Sequence, residues 1–284
     1  VLLHFLALIS LEHAVFNESE QLFTMLEPLE ENPNRSRFYL GVIAQQQELF
    51  DKAVSRFDLV DPKSTYYIAS LARISSILDS PEDQEDIDQR FTKALTLRPD
   101  LEPDLFAIHA EWQKKHGFTD ESLALLDFAL AKHPDDIDLR YTRALQLESI
   151  NFDGTVRDLK HIIALENNNA TALNALGYTM LLHTNRYQEA FDYISRALKA
   201  SPDDVSIIDS MGWAHHKLGN YDKALEYLER AYSISQDEEI ASHLIQSLWS
   251  TGQTERAQQL LKESLQKSPD NKHLIEAAKQ LETS

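Results

Sequence analysis

Small residues return at fixed places in a unit of about 34 residues, and that recurrence limits the chain to a stack of helix pairs. The chain has only seven glycines. Gly41, Gly177 and Gly212 fall where one helix must approach the next closely, and Gly117, Gly219 and Gly252 fall at the turn that ends that helix. Gly154 is expected in the equivalent turn of another unit. The register is clearest in three units at 170–204, 205–237 and 238–271. There Ala190, Ala224 and Ala257 open the second helix, and Ala197, Ala231 and Ser264 follow two turns later on the same face. Pro202 and Pro269 close their units. Upstream, weaker units are placed at 1–33, 34–67, 68–102, 103–135 and 136–169. The last of these departs from the pattern, with Thr155 at the alanine position and Asn167 at the proline position. The unit at 68–102 carries the acidic stretch DSPEDQEDIDQR, expected as a solvated loop between its helices.

A single globular core rarely exceeds roughly 250–300 residues, whereas each unit of a stack contacts only its neighbours. One continuous domain over residues 1–284 is therefore expected, closed by a polar-faced capping helix at 272–284. In that helix Leu274, Ile275, Ala278 and Leu281 are expected inside, and Lys272, Glu276, Lys279 and Glu282 outside.

A net charge of −19 repels a phosphate backbone, so nucleic acid is an unsuitable partner, and anionic membrane surfaces are disfavoured for the same reason. The charge serves solubility or steers a basic partner; the sequence leaves both open. Absence of cysteine excludes disulfides, thiolate metal sites and thiol catalysis. The opening VLLHFLALIS lacks a basic flank and is interrupted by His4, so it reads as the first helix of a longer protein's fragment, not as a leader. Any signal or lipid anchor is expected before it. No HExxH, phosphate loop, GxSxG or GxGxxG occurs, and the eleven histidines are scattered or, like His215 and His216, splayed about 100° apart on a helix. No catalytic residue, metal site or cofactor is expected.

The combination of Leu-Gly in the first helix, Ala opening the second and Pro at the end resembles the tetratricopeptide repeat. The resemblance implies an all-α, right-handed superhelical solenoid of about eight helix pairs plus the C-terminal capping helix, with repeats weaker over 1–169 and clear over 170–271. It also implies that the first helix of each pair lines a concave face through fixed positions. Carried over residue by residue, these include Asn174 and Tyr178, then Asp209, Trp213, His216 and Lys217, then Gln246 and Trp249, with Arg140 and Ala144 from the unit at 136–169. Asn174, Asp209 and Gln246 form a ladder for an extended peptide backbone. Tyr178 and Trp213 are either partner contacts or packing residues, while Trp112 is a packing residue. Asn174, Lys217 and Arg140 among acids and aromatics do not make the basic clamp that holds an acidic C-terminus.

The run from NALGYTMLLHTNRYQEA to DSMGW resembles more narrowly the C-terminal region of tetratricopeptide lipoproteins of Gram-negative bacteria. That resemblance implies a non-enzymatic scaffold in the periplasm, anchored to the outer membrane through a segment preceding this one. Its partners would include a C-terminal processing protease, which it activates, and cell-wall hydrolases delivered as substrates. An assembly, chaperone or export accessory is the alternative, and a cytoplasmic location the alternative compartment. The apolar N-terminal pair, residues 1–33, is also a place for weak self-association.

Overall fold

A computed structural model of the chain describes residues 2–283, with side chains described to Leu281. Every regular element among them is helical. The expected segments each hold one helix pair: α1 (Leu2–Glu12) and α2 (Phe16–Leu26); α3 (Asn34–Gln46) and α4 (Phe50–Asp58); α5 (Tyr67–Ile77) and α6 (Gln84–Leu97); α7 (Glu102–Lys115) and α8 (Thr119–Lys132). Then follow α9 (Ile137–Leu147) and α10 (Phe152–Leu165); α11 (Ala170–His183) and α12 (Tyr187–Ala200); α13 (Val205–Lys217) and α14 (Tyr221–Ile234); α15 (Glu238–Ser250) and α16 (Thr254–Lys267); and lastly α17 (Lys272–Thr283). The helices fall into two compact units, one ending at Thr142 and one beginning at Arg143, so the division lies within α9.

Six of the pairs are fixed by a crossing at a glycine or alanine of the first helix. At Gly177 a Cβ would lie 2.5 Å from Ile194 and 2.9 Å from the Ala190 carbonyl oxygen, and at Gly212 it would lie 2.6 Å from Leu228. Three other pairs place alanine at this crossing and answer it with a hydroxyl on the second helix. Ser19 donates to the Ala7 carbonyl at 2.8 Å, Ser122 to that of Ala110 at 2.6 Å, and Thr155 to that of Ala144 at 3.1 Å. The departure at Thr155 is thus a second solution to the same contact, because the hydroxyl satisfies a carbonyl that the close approach seals from water. Second helices bury the expected stripe, as Ala190, Ile194 and Ala197 do in α12. First helices in the C-terminal unit start on side-chain caps. Asn169 accepts from the Ala172 amide at 2.9 Å, and Asp204 from the Ser206 and Ile207 amides at 2.9 and 3.2 Å.

Four sequence expectations require correction. Gly154 is not in a turn: it sits in the first turn of α10, where its amide donates to the capping Asn151 at 3.0 Å. The acidic stretch is largely helical. Ser80 and Asp83 form a capping box around Pro81, and α6 starts at Gln84, with carboxylates at the positive end of the helix dipole. Arg90 in it bonds Asp58 and Asp86 at 2.5 and 2.9 Å. In α17, Leu274 and Ala277 are fully buried while Ile275 is exposed, so the inner face is rotated from the expected one; the Glu282 side chain lies outside the described residues. The fourth concerns α9. Ala144 is buried at the helix crossing, in the place glycine holds elsewhere, so the outward row of this helix runs one residue later than expected. Arg140 leaves that row and donates through Nε to the Pro134 carbonyl at 2.7 Å.

Candidate functional site

In the C-terminal unit the first helices α11, α13 and α15 pack side by side, with α17 against α15. Their shared face carries a polar and aromatic network. Tyr178 on α11 reaches past α13 and donates its hydroxyl to Glu239 on α15. Its ring lies 6.0 Å from that of His243, edge-on. His243 Nδ1 sits 2.9 and 3.0 Å from the two carboxylate oxygens of Asp209. The Trp213 indole stacks on His243 at 4.3 Å and on His216 at 4.5 Å, and Lys217 Nζ lies 4.5 Å from the indole centre. His216 Nδ1 is 2.9 Å from the Ser247 hydroxyl.

Burial governs the protonation of this cluster. It raises the Tyr178 hydroxyl above its ordinary value, and the nearby carboxylates, Glu239 foremost, add to the effect. It lowers His216 to about 4, helped by the positive charge of Lys217. It also lowers Lys217. Tyr178 therefore stays a neutral donor and His216 a neutral ring across the physiological range.

The structure brings together Tyr178, Asp209, Trp213, His216 and Lys217 from the expected row. Two of them are covered: Trp213 is 5% exposed and Asp209 6%. Trp213 is thus a packing residue, because the ring of His243 from the next first helix lies over it. Asp209 turns to His243, which removes the middle rung of the expected peptide ladder. Gln246 donates to Ser242 at 3.2 Å, and Trp249 packs on the C-terminal core beside Leu244 and Leu248. Asn174 remains half-buried on the face, and its Oδ1 is sealed from solvent without a donor. The buried Trp213 Nε1–H likewise has no acceptor among the described residues. Sequence reasoning overlooked His243 and Ser247. His243 stands thirty-four residues after Asp209, one place beyond Ser242, the equivalent position in the next first helix, so the repeat spacing gave no signal for it.

Among the described residues no group of three histidines, cysteines or carboxylates is placed to hold a metal ion, and no helix is long and apolar enough to cross a membrane.

The tetratricopeptide repeat family pattern matches residues 170–237 and again 215–281. A TPR repeat-containing protein of Pseudomonas aeruginosa is 35% identical over 210 residues, covering 74% of this chain and 35% of the relative. Another, from Methanocaldococcus jannaschii, is 23% identical over 219 residues, covering 72% of this chain and 37% of the relative. The chain thus spans about a third of the length of these relatives. Among solved structures, a tetratricopeptide repeat protein from Parabacteroides merdae superposes with a TM-score of 0.63 at 14% identity, over 87% of this chain and 98% of its own. A thermophilic TPR protein of Thermus thermophilus superposes with a TM-score of 0.51 at 20% identity, over 58% of this chain and 91% of its own.

Proposed function

Because the chain belongs to the tetratricopeptide repeat proteins, which bind protein or peptide partners, we propose that it is a non-enzymatic adaptor holding a partner segment along the shared face of α11, α13 and α15. The observation that carries this reading is Asn174. An unpaired buried carbonyl oxygen costs roughly 1–3 kcal/mol, and rotation of the half-buried side chain would turn it out to accept from a peptide N–H laid across α11. Beside it the Tyr178–Glu239 and Asp209–His243 bonds hold the floor rigid, so little entropy is lost on binding. Lys217 offers a partly desolvated ammonium to a partner carbonyl or carboxylate.

In its specific form the proposal is a periplasmic adaptor that activates a C-terminal processing protease and supplies it with cell-wall hydrolases, held at the outer membrane by a segment preceding this one. The resemblance of residues 170–271 supports that form. Weak self-association through residues 1–33 is proposed beside it, supported by the exposure of Leu2 and Phe5; a clean monomer in sedimentation at high concentration would remove it.

Affinity capture from separate envelope and soluble fractions of cells that make the protein, read by mass spectrometry, tests this function. The control is the Asn174→Ala, Lys217→Ala double variant, with its melting temperature checked. A processing protease or hydrolase captured by the native chain and lost with the variant is the expected result. A broad set of unrelated clients would favour an assembly or export role. Capture unchanged by the variant would overturn the assignment of this face.

A further inference from the structure

We propose that the groove between α14 and α16 is a second docking site, one that takes an aromatic side chain of a partner protein with a basic residue beside it. The groove has a volume of about 620 Å³, within the roughly 300–1,000 Å³ usual for ligand sites. Leu244 and Leu248 of α15 form its base, and Tyr232 of α14 and Leu260 of α16 its apolar walls. It opens between second helices, and none of Tyr178, Asp209, Trp213, His216 and Lys217 lines it.

The groove is open because two rings of the preceding repeat are leucines here. In that repeat the Tyr227 ring of α14 stacks at 5.6 Å on His215 of α13, and Phe191 of α12 meets the same imidazole edge-on at 5.1 Å. Leu260 and Leu248 stand thirty-three residues after Tyr227 and His215, in the same places of the next repeat. Tyr193 holds the Tyr227 place in α12, so tyrosine occupies it in two successive second helices. The helix crossing adds to the opening. Ile245 stands where Gly212 lets α14 close in, and α16 lies less closely on α15 than α14 does on α13. A partner's ring seated here would restore the aromatic layer, and such a ring buries much area at small entropic cost. The rim selects the residue beside it. Arg256 is held by Glu229 at 2.9 Å and Gln253 at 2.5 Å. Among the described residues Glu255 and Glu263 accept from the neutral side chains of Thr254 and Gln259 and pair with no cation. A lysine or arginine next to the ring would meet these carboxylates, whereas an acidic neighbour would be repelled.

The test is independent of the face on α11, α13 and α15. A heptapeptide with tyrosine at its centre, lysine on either side and alanine beyond is titrated into the whole isotope-labelled chain, and amide shifts are followed by NMR. Shifts centred on residues 244–260 are expected. Leucine in place of the tyrosine, or glutamate in place of both lysines, should weaken binding at least five-fold. Leu260→Tyr, which places in α16 the residue found in α12 and α14, should weaken it at least ten-fold and melt no lower than the native chain. Glu255→Gln, Glu263→Gln, changed only at exposed positions, should fold as the native chain does and bind at least three-fold more weakly. Asn174→Ala, Lys217→Ala should leave this titration unchanged. No shifts at 244–260, equal binding of the leucine peptide, or native-like binding by a folded Leu260→Tyr chain would overturn the site. A dimer in sedimentation that Leu260→Tyr abolishes would make a second copy the occupant and overturn it as well.

Discussion

At single residues, the turns between paired helices divide by backbone conformation. Gly117, Gly219 and Gly252 adopt φ of 89°, 77° and 79°, whereas Ala14 and Glu48 hold the left-handed region with side chains, at φ of 57° and 59°. Each of these two carries a steric penalty that glycine would not. Glu48→Gly should therefore stabilise the protein by about 0.5–1 kcal/mol, seen as a higher urea midpoint; an unchanged or lower midpoint would refute this. Gly177→Ala should destabilise by about 1–3 kcal/mol, because the Ala190 backbone oxygen cannot move aside as the Ile194 side chain can. Trp213→Ala should cost about 3–5 kcal/mol in the same measurement, as expected of a covered aromatic ring. Most glycine roles were legible in the sequence because glycine recurs only where the repeat demands it. The role of Trp213 was not, since one position in the repeat can face a partner or the adjacent first helix, and only the placement of His243 decides.

Individual helices show where a repeat register can mislead. In α9 the crossing residue is alanine in place of glycine, so counting from the unit boundary put the row one residue early and selected Arg140. In α17 the buried face is set by packing on α15 and α16, which takes Leu274 and Ala277 and leaves Ile275 outward. Leu274→Ala should accordingly cost about 2–5 kcal/mol, whereas Ile275→Ala, at an exposed position, should change stability by no more than about 0.5 kcal/mol; thermal melts of the two variants separate them. The packing of α13 against α15 also makes stability depend on pH. His216 is held near 4 when folded, against 6.5 for an unperturbed histidine. As pH falls below about 6.5 the unfolded chain takes up a proton that the folded chain refuses, so stability declines down to about pH 4. At about 1.4 kcal/mol per unit the loss reaches at most about 3.5 kcal/mol. Burial lowers His109 and His215 as well, with the same sign. The native chain should thus have a lower urea midpoint at pH 5 than at pH 7.5, and His216→Gln should narrow that gap.

Over the whole chain, pair count and order were legible because spacing alone determines them in a stacked architecture. The chemistry of the faces was less so. A first helix shows the sequence which residues point outward from its own pair, but not which of them the next pair covers. Asp209 was lost from the open face in that way, and Asn174 remained. The scattered histidines acquired meaning only as places, two of their rings stacked on one indole. The central claim is that the face of α11, α13 and α15 receives a partner protein. In-cell photo-crosslinking tests it most directly, with a photoreactive residue replacing Leu182, one turn beyond Tyr178 and exposed, or replacing exposed Asp120 on α8 as the control. Discrete cross-linked partners from position 182, absent from position 120, are expected. Cross-links from position 120 alone, or the same products from both, would contradict the account.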